Sequence, residues 1–341
     1  MTRIAINGFG RIGRAFLRCS LDTDVEIVAI NDIADPENLA YLLKHDTVYG
    51  TLQQDVRLEG DTLHVGGRSI KMLSEKDPAS LPWKEMEVDV VVESSGIFLD
   101  RAGASKHLEA GAQKVVLSAP AKGDGADVTI CPGVNDEAYD PDQHKIVSCA
   151  SCTTNCVAAV AKVLLDSFGV ESAFLTTTHA YTSSQTLVDG PSKKWRRGRS
   201  ATQSIIPTTT GAAKALAEVI PAMKGKMNAV ALRVPVVCGS IIDLVWQAER
   251  PVTADSVKSA FSEAMDSEKT SRVLLATDEE LVSSDIIGDS HSAVVDLSSI
   301  SVLGDRSVQV LAWYDNEWGY CCRLRDLALR VAESAAVGAT A

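Results

Sequence analysis

The chain has 341 residues, which is enough for about two domains, and its 45% hydrophobic and 23% charged residues are typical of a soluble globular protein. Its net charge of -12 gives no bulk attraction to nucleic acid or to an anionic membrane. No apolar run approaches the roughly 18 residues that a membrane helix needs. The N-terminus passes directly into a predicted strand, so no signal or transit peptide is expected. The eight cysteines show neither a disulfide framework nor a zinc-binding pattern, which favours reduced thiols in the cytoplasm.

The first predicted elements form a βα unit around a glycine motif. The strand Arg3–Asn7 leads into Gly8–Gly13, which reads G-F-G-R-I-G, and the helix Arg14–Cys19 follows. A second apolar strand, Val25–Ile30, comes shortly before Asp32. A strand before G-x-G-x-x-G, a helix after it and an acidic residue about 20 residues further on are typical of dinucleotide-binding folds.

Each residue of this motif has a physical role in holding a dinucleotide. Gly8 makes the tight turn, Gly10 lets the pyrophosphate approach the backbone, and Gly13 lets the helix lie close to the sheet. The N-terminus of the helix then faces the pyrophosphate. Asp32 would accept hydrogen bonds from the adenosine ribose and repel a 2′-phosphate, so the motif predicts NAD rather than NADP. A glycine-rich turn in some other α/β protein is the alternative.

Two more predicted strands, Val88–Glu93 and Lys114–Leu117, extend the sheet and end in polar, flexible segments. Strand ends in a doubly wound sheet line the ligand crevice. Ser95, Gly96 and Ser118 in those segments are therefore candidate cofactor-binding residues. Ordinary loop residues would give the same pattern.

The segment Ser151–Cys156 places one cysteine where it can act as a nucleophile. A short strand precedes the segment, and apolar residues at helical spacing follow it as far as Gly169. Cys152 therefore lies just before the first N–H groups of a helix, where the helix dipole favours the reactive thiolate. Alternatively, Cys152 and Cys156 are two small buried hydrophobic residues on one face of the helix.

His179 ends the predicted strand Phe174–Thr178. A lone histidine is more often structural than catalytic, but a histidine beside Cys152 can hold the pair as thiolate and imidazolium. Attack of such a thiolate on an aldehyde gives a hemithioacetal, whose oxyanion the N–H of Cys152 and the imidazole can stabilise. Loss of hydride and a proton then leaves a thioester that phosphate can attack.

That last step requires anion sites. The hydroxyl-rich run Thr208–Gly211 precedes the predicted helix Ala212–Ile220, and a helix N-terminus with hydroxyl groups is a natural phosphate site. Arg197 and Arg233 add forked donors suited to phosphate oxygens. The basic cluster Lys193–Arg199 has two other interpretations, a solvated face or a nucleic-acid patch, and the negative net charge argues against nucleic acid.

With these elements together, the chain resembles the phosphorylating glyceraldehyde-3-phosphate dehydrogenases over nearly its whole length. Six motifs carry the resemblance in the family's order and spacing: Asn7–Gly13, Ala150–Cys156, Thr178–Thr182, Ile206–Lys214, Arg233–Pro235 and Trp313–Tyr320. The resemblance implies that Cys152 is the nucleophile, that His179 is its base, and that Asn316 holds the nicotinamide carboxamide.

The resemblance also implies the binding residues and the assembly. Substrate phosphate and inorganic phosphate would be held by Ser151, Thr153, Thr182, Arg197, Thr210, Gly211 and Arg233. NAD would be held by Arg11, Ile12, Asp32, Lys76 and Ser118, in addition to the residues that the motif and the strand ends indicate, which are Gly8, Gly10, Gly13, Ser95 and Gly96. No metal ion is expected. The family implies a homotetramer in which the loop Arg196–Arg199 lies near the cofactor site of a neighbouring subunit.

The predicted fold is α/β, with a Rossmann-type doubly wound parallel sheet and an α+β catalytic domain with a mixed, mostly antiparallel sheet. Residues 1–149 are expected to form the NAD-binding domain, to which a helix at about 320–338 returns, and residues 150–319 the catalytic domain. The predicted function is NAD-dependent conversion of D-glyceraldehyde 3-phosphate to 1,3-bisphosphoglycerate in glycolysis and gluconeogenesis. Erythrose-4-phosphate dehydrogenase is the alternative enzyme, and a binding or scaffold protein is the alternative from another class.

Overall fold

The computed structural model describes the backbone of residues 2–338 and the side chains of residues 2–333. This part of the chain divides into two compact units. The first contains residues 2–132, 136–150 and 321–338, and the second contains residues 133–135 and 151–320. No helix in the described ranges is both long and apolar enough to cross a membrane.

The first unit alternates strands and helices around a nine-stranded sheet. Its strands are β1 (Arg3–Asn7), β2 (Glu26–Asn31), β3 (His45–Asp46), β4 (Gly50–Thr51), β5 (Val56–Glu59), β6 (Thr62–Val65), β7 (Arg68–Leu73), β8 (Val90–Glu93), β9 (Lys114–Leu117), β10 (Val128–Thr129) and β11 (Ile146–Ser148). Its helices before residue 150 are α1 (Arg11–Ser20), α2 (Pro36–Lys44) and α3 (Arg101–Glu109).

The strand order predicts a ligand crevice at the carboxyl ends of the central strands. The order is β10-β11-β9-β8-β1-β2-β7-β6-β5, and β3 and β4 form a separate ribbon. The strands from β10 to β7 run parallel, and β6 and β5 complete the sheet as antiparallel strands. The chain first adds strands on one side of β1, beginning with β2, and later adds strands on the other side, beginning with β8. The strand order therefore reverses between β1 and β8. This is the switch point of a doubly wound sheet, and the predicted fold is confirmed.

The central strands are continuous apolar runs because helices cover both faces of a parallel sheet. Every residue of β8 is buried, for example. Helix α1 begins at Arg11 rather than at the predicted Arg14, with Gly10 as its extended N-cap residue. The last three residues of the glycine motif therefore form the first turn of the helix.

The second unit packs helices against an eight-stranded sheet. Its elements are α4 (Cys152–Phe168), β12 (Ser172–Ala180), β13 (Ile206–Thr208), α5 (Ala212–Val219), β14 (Met227–Val234), β15 (Ser240–Gln247), α6 (Ala254–Met265), β16 (Leu274–Thr277), β17 (Ala293–Asp296), β18 (Ser301–Leu303) and β19 (Ser307–Tyr314). The order is β13-β14-β12-β15-β19-β17-β16, with β18 paired to β19. The β12–β14 and β16–β17 pairs are parallel and the other pairs are antiparallel, so the sheet is mixed and mostly antiparallel, as predicted.

Helix α4 lies at the centre of this unit and packs against β15, β17 and β19. The Ser151 side chain caps its N-terminus by accepting a hydrogen bond from the N–H of Thr154, and Gly169 ends it with a φ of 69°. Cys156 and Val160 are fully buried along its length. The cap and the buried face together fix where the first residue of the helix, Cys152, stands.

The last helix, α7 (Trp318–Gly338), belongs to the first unit from Cys321 onward. The Cys321 thiol lies 3.5 Å from the Ile12 carbonyl oxygen, and Arg325 Nη1 donates to the Cys19 carbonyl oxygen at 2.8 Å. The helix therefore touches both the start and the end of α1.

Candidate active site

A cleft of about 460 Å³ opens at the carboxyl ends of β1, β2 and β8, at the switch point of the sheet. Its walls are formed by Asn7, Gly8, Gly10, Asn31, Asp32, Ile33, Glu75, Lys76, Ser94, Ser95, Ile97 and Phe98. Five of the predicted cofactor residues are in this set: Gly8, Gly10, Asp32, Lys76 and Ser95. The other predicted cofactor residues of this unit, Arg11, Ile12, Gly13, Gly96 and Ser118, lie outside it.

The glycines of the motif are required by the space around them. Gly8 has a φ of 94°, and a Cβ there would lie 2.4 Å from the backbone nitrogen of Ser95. A Cβ on Gly13 would lie 2.2 Å from the carbonyl oxygen of Gly8, so the helix could not approach the turn. A Cβ on Gly10 would meet no atom within 4 Å, so Gly10 faces open space that a ligand can enter.

Asp32 is held at the edge of the cleft by backbone groups. Its Oδ2 accepts a hydrogen bond from the N–H of Phe9 at 2.6 Å, and its Oδ1 accepts one from Ala34 at 2.9 Å. The carboxylate is thereby fixed next to the glycine turn. Ile33 and Ile97 add apolar side chains at the same cleft, and both are more than half exposed.

Two predicted cofactor residues have side-chain polar groups that already bond to other residues of the unit. The Arg11 guanidinium pairs with Asp46 and lies over the ring of Tyr49, 5.6 Å from its centre, while the backbone N–H of Arg11 lies at the start of the helix. The Ser95 hydroxyl donates to Glu93 Oε1, so its single proton has a partner inside the protein.

In the second unit, Cys152 and His179 are brought together. Cys152 Sγ lies 3.5 Å from His179 Nε2, with the thiol at the first residue of α4 and the imidazole near the end of β12. The edge of the His179 ring faces Tyr314, whose hydroxyl is hydrogen-bonded to Thr153 Oγ1 at 3.0 Å and to Thr177 Oγ1 at 2.8 Å. This aromatic support was not predicted, because Tyr314 is far from both residues in sequence.

Burial and one cation set the charge state of this pair. Burial raises the pKa of the Cys152 thiol, and the Arg233 guanidinium and the N–H groups at the helix start oppose that shift. Burial, and after it the positive charge of Arg233, lower the pKa of His179 to about 3, against the opposing effect of the Ala180 carbonyl. These shifts favour the neutral thiol and the neutral imidazole over the thiolate–imidazolium form that such a pair can also adopt.

The position of Arg233 explains its effect on His179. The two residues are direct neighbours on the parallel strands β12 and β14. Arg233 Nη1 lies 2.7 Å from His179 Nδ1 and donates to the Ala180 carbonyl oxygen at 2.8 Å. That carbonyl oxygen is itself 2.7 Å from His179 Nδ1. A guanidinium can only donate and a carbonyl can only accept, so the two neighbours of Nδ1 favour opposite tautomers of the ring.

A second group of cationic side chains contacts the hydroxyl-rich run Thr208–Gly211 before α5. Arg197 Nε donates to Thr208 Oγ1 at 3.0 Å, and Lys194 Nζ donates to Thr209 Oγ1 at 3.0 Å. Thr210 Oγ1 accepts from the N–H of Ala212 at 3.2 Å, and Gly211 is the N-cap residue of the helix. The sequence did not single out Thr208 or Thr209 individually, although both belong to the predicted hydroxyl-rich run.

The remaining predicted phosphate-binding residues differ in the partners that their hydroxyl groups already have within the protein. Ser151 Oγ accepts from Thr154 as the helix cap, and Thr153 Oγ1 is buried against Tyr314. Thr182 is half-buried and its Oγ1 lies 3.0 Å from Ser184 Oγ. Ser151 and Thr153 are thus engaged in local structure.

Asn316 is oriented by a serine that the sequence did not indicate. Ser240 Oγ donates to Asn316 Oδ1 at 2.8 Å and accepts from the N–H of Ala180 at 3.1 Å. Because the amide oxygen is used in this way, the Nδ2 group of Asn316 remains as its donor toward a ligand. Ser240 couples Asn316 to the strand end that carries His179.

Comparison with known proteins identifies the family of the chain. The family model of the glyceraldehyde 3-phosphate dehydrogenase NAD binding domain matches residues 2–101, and that of the C-terminal domain matches residues 151–316. The glyceraldehyde-3-phosphate dehydrogenase of Streptomyces coelicolor is 51% identical over 331 residues, which cover 96% of this chain and 98% of the relative. Glyceraldehyde-3-phosphate dehydrogenase 2 of Bacillus subtilis is 50% identical over 97% of this chain and 96% of its own. The enzyme of Geobacillus stearothermophilus is 48% identical over 97% and 98%.

These matches confirm the resemblance found in the six sequence motifs, and they extend over both units of the chain. The chain belongs to the glyceraldehyde-3-phosphate dehydrogenase family.

Proposed function

We propose that this chain catalyses the NAD-dependent oxidation and phosphorylation of D-glyceraldehyde 3-phosphate to 1,3-bisphosphoglycerate. The observation that carries the proposal is the contact between Cys152 Sγ and His179 Nε2 at the N-terminus of α4. A thiol in that position, with an imidazole as its proton partner, supports covalent chemistry on an aldehyde. The names and full-length coverage of the relatives support the same substrate.

The cleft of the first unit fits NAD. The open space at Gly10 and the N-terminus of α1 suit a pyrophosphate, and the Asp32 carboxylate suits a ribose that has both hydroxyls. The exposed apolar side chains of Ile33 and Ile97 suit a flat ring. NAD supplies the hydride acceptor for the oxidation.

The first bond is made by Cys152. His179 Nε2 takes the thiol proton as Cys152 Sγ adds to the aldehyde carbon, and it then gives that proton to the carbonyl oxygen, which becomes the hydroxyl of a hemithioacetal. The backbone N–H of Cys152 and a proton on His179 Nε2 stabilise the oxygen while it is negatively charged. His179 Nε2 then removes the hydroxyl proton as the carbon is oxidised, and a thioester remains on Cys152.

For that last transfer, Nε2 of His179 must have a free lone pair. Donation from Arg233 to Nδ1 favours the tautomer that carries the ring proton on Nε2. An anion that draws Arg233 away leaves the Ala180 carbonyl oxygen as the partner of Nδ1, so the proton moves to Nδ1 and Nε2 becomes an acceptor. Binding of the phosphorylated substrate thus frees the lone pair of His179 Nε2, which acts as the base in the reaction.

Two groups of cationic side chains, one at Arg233 and one at Arg197, support a reaction that uses two phosphates. Arg233 lies beside the thiol–imidazole pair, and Arg197 lies with Thr208 at the run before α5. One holds the phosphate of the substrate and the other the attacking phosphate. The phosphate oxygen forms a bond to the thioester carbon, the carbon–sulfur bond breaks, and the Cys152 thiolate is regenerated as the acyl phosphate leaves.

A homotetramer is part of the proposal. Phe174 and Val245 are directly opposite each other on β12 and β15, and both project from the sheet with more than a third of their surface exposed. Trp195, next to the Arg196–Arg199 loop, is 89% exposed. Apolar surface of this kind supports contact with other subunits. Eight cysteines without a disulfide fit a cytoplasmic location.

A steady-state assay tests the proposed function. NADH formation from glyceraldehyde 3-phosphate should require inorganic phosphate and should be much slower with NADP. We expect kcat/KM for erythrose 4-phosphate to be lower by at least about tenfold, because fixed anion sites suit one chain length. Equal efficiency with both aldehydes would instead indicate an erythrose-4-phosphate dehydrogenase.

A further inference from the structure

A buried polar network lies directly behind the cleft of the first unit, and Glu93 at the end of β8 is its centre. Glu93 has no solvent-exposed surface. Its Oε1 accepts hydrogen bonds from the N–H and the hydroxyl of Ser95, and its Oε2 accepts one from Asn7 Nδ2. The fourth contact is with His107 Nε2 at 3.0 Å. A buried carboxylate is tolerated only when its oxygens are satisfied in this way.

The protonation state of His107 follows from its other partner. Trp83 Nε1 donates to His107 Nδ1 at 3.1 Å, and an indole N–H can only donate. Nδ1 therefore carries the lone pair, and the proton of the neutral ring is on Nε2, facing Glu93. Since every group around Glu93 is a donor, Glu93 is the ionised partner and His107 is the neutral one.

The chain of donors continues across the adjacent strand ends. Asn31 Nδ2 donates to Asn7 Oδ1 at 2.7 Å and to the carbonyl oxygen of Glu75 at 2.9 Å, while Asn31 Oδ1 accepts from the N–H of Glu75 at 2.8 Å. Neither amide can be turned over without placing two donors or two acceptors together. Asn7, Asn31, Glu75 and Ser95 all line the cleft, whereas Glu93 and His107 do not.

We propose that Glu93 is a positioning residue for cofactor binding. Its carboxylate fixes the Asn7 amide, and through Asn7 it fixes Asn31 and the segment at Glu75. It also holds the Ser95 turn, against which the glycine turn packs closely at Gly8. The residues that line the cleft are thereby held at a fixed distance from one another, and one fixed set of hydrogen-bond donors and acceptors faces the cofactor. This inference rests on the NAD-binding part of the proposed function.

The substitution Glu93→Gln tests the proposal, because glutamine keeps the size of the side chain but replaces an acceptor oxygen with an NH2 donor. That donor must face either the donors of Ser95 or those of Asn7 and His107. We expect the Kd for NAD, measured by calorimetric titration of the purified protein, to rise by at least about tenfold. At saturating NAD, kcat should stay within about twofold, because the substitution does not touch the reacting atoms.

A matched control separates positioning from general stability. Lys114 begins β9 at the opposite end of the same sheet, where its buried ammonium donates to the carbonyl oxygens of Pro141 and His144. Lys114→Met should lower the Tm but leave the Kd for NAD unchanged. An equal rise in Kd for Lys114→Met and Glu93→Gln would overturn the proposal, and so would a wild-type Kd in Glu93→Gln.

A second pair of variants keeps the test decisive if Glu93→Gln does not fold. His107→Gln retains an N–H donor near the position of Nε2, whereas His107→Leu removes it. We expect His107→Gln to bind NAD nearly as the unaltered protein does and His107→Leu to bind it more weakly. Equal Kd values for the two variants would overturn the proposal. Failure of the unaltered protein to bind NAD would refute the proposed function itself.

Discussion

Two histidines are buried among the described side chains, one in each unit. Their hydrogen-bond partners differ, and the difference distinguishes a positioning role from a catalytic one. His107 has a pure donor at Nδ1 and a carboxylate at Nε2, so a single tautomer satisfies both. His179 has a donor and an acceptor competing for Nδ1 and a thiol at Nε2. A ring with agreeing partners holds its proton in place, whereas a ring with conflicting partners can move it. This difference supports the proposals that His179 transfers the proton and that the network of His107 positions the cleft.

The largest expected effect comes from replacing each ring. His179→Asn should lower kcat by roughly 10²- to 10⁴-fold, which is the usual contribution of a general base. His107→Gln should leave kcat at saturating NAD nearly unchanged, since its donor to Glu93 is retained. Steady-state kinetics at saturating substrates gives both values. A similar loss of kcat in the two variants would remove the distinction between the two histidines.

A smaller effect is expected at the cation beside His179. Arg233→Ala should raise the KM for glyceraldehyde 3-phosphate or for inorganic phosphate by an amount equivalent to roughly 1.5–3 kcal/mol, the value of a hydrogen bond to a charged group. Unphosphorylated glyceraldehyde should be affected far less. Arg306→Ala is the matched control, because Arg306 pairs with Glu171 in the same unit and lies outside both anion places.

Equal losses with both aldehydes in Arg233→Ala would mean that Arg233 acts only as a support for His179 and binds no phosphate. The anion-dependent change of tautomer would then have no basis.

At the cleft, Asp32→Ala should narrow the preference for NAD over NADP by about tenfold, because it removes the negative charge that repels a 2′-phosphate. The ratio of kcat/KM values for the two cofactors measures the effect. Asp35→Asn is the control, since Asp35 caps α2 nearby without lining the cleft. An unchanged ratio in Asp32→Ala would show that this carboxylate does not face the ribose.

The last prediction concerns the acid stability of the fold and not its catalysis. The pKa of His179 is lowered from 6.5 to about 3 by burial and by Arg233, so between those values the unfolded chain binds a proton that the folded chain does not. Stability must therefore fall as the pH drops from 6.5 toward 3. Thermal melts of His179→Asn should show a shallower decline of Tm over this range than the unaltered protein. Parallel declines would mean that His179 does not stay neutral in the fold.

The sequence predicted most reliably the features that depend on near neighbours. The glycine motif, the strand before it and the start of α4 at Cys152 each involve residues a few positions apart, and local sterics determine them. The thiol–imidazole pair was predicted from the resemblance to the family.

The supporting contacts were missed because their partners are distant in the chain. Glu93 meets Asn7, Ser240 meets Asn316, and Tyr314 meets Thr153 only after the sheets have formed. The directions of side chains were also beyond prediction. Arg11 and Ser95 have the expected positions in the chain, but their polar groups bond to Asp46 and Glu93, which the sequence did not indicate.

A single-turnover experiment without phosphate tests the central claim most directly. Mixing the protein with NAD and glyceraldehyde 3-phosphate should give a burst of NADH equal to the concentration of active sites, followed by a slow phase. Mass spectrometry should then find the acyl group on Cys152, and added phosphate should release it and restore turnover. Cys152→Ala should give no burst while still binding NAD. Full-rate NADH formation without phosphate, or a burst in Cys152→Ala, would contradict the account.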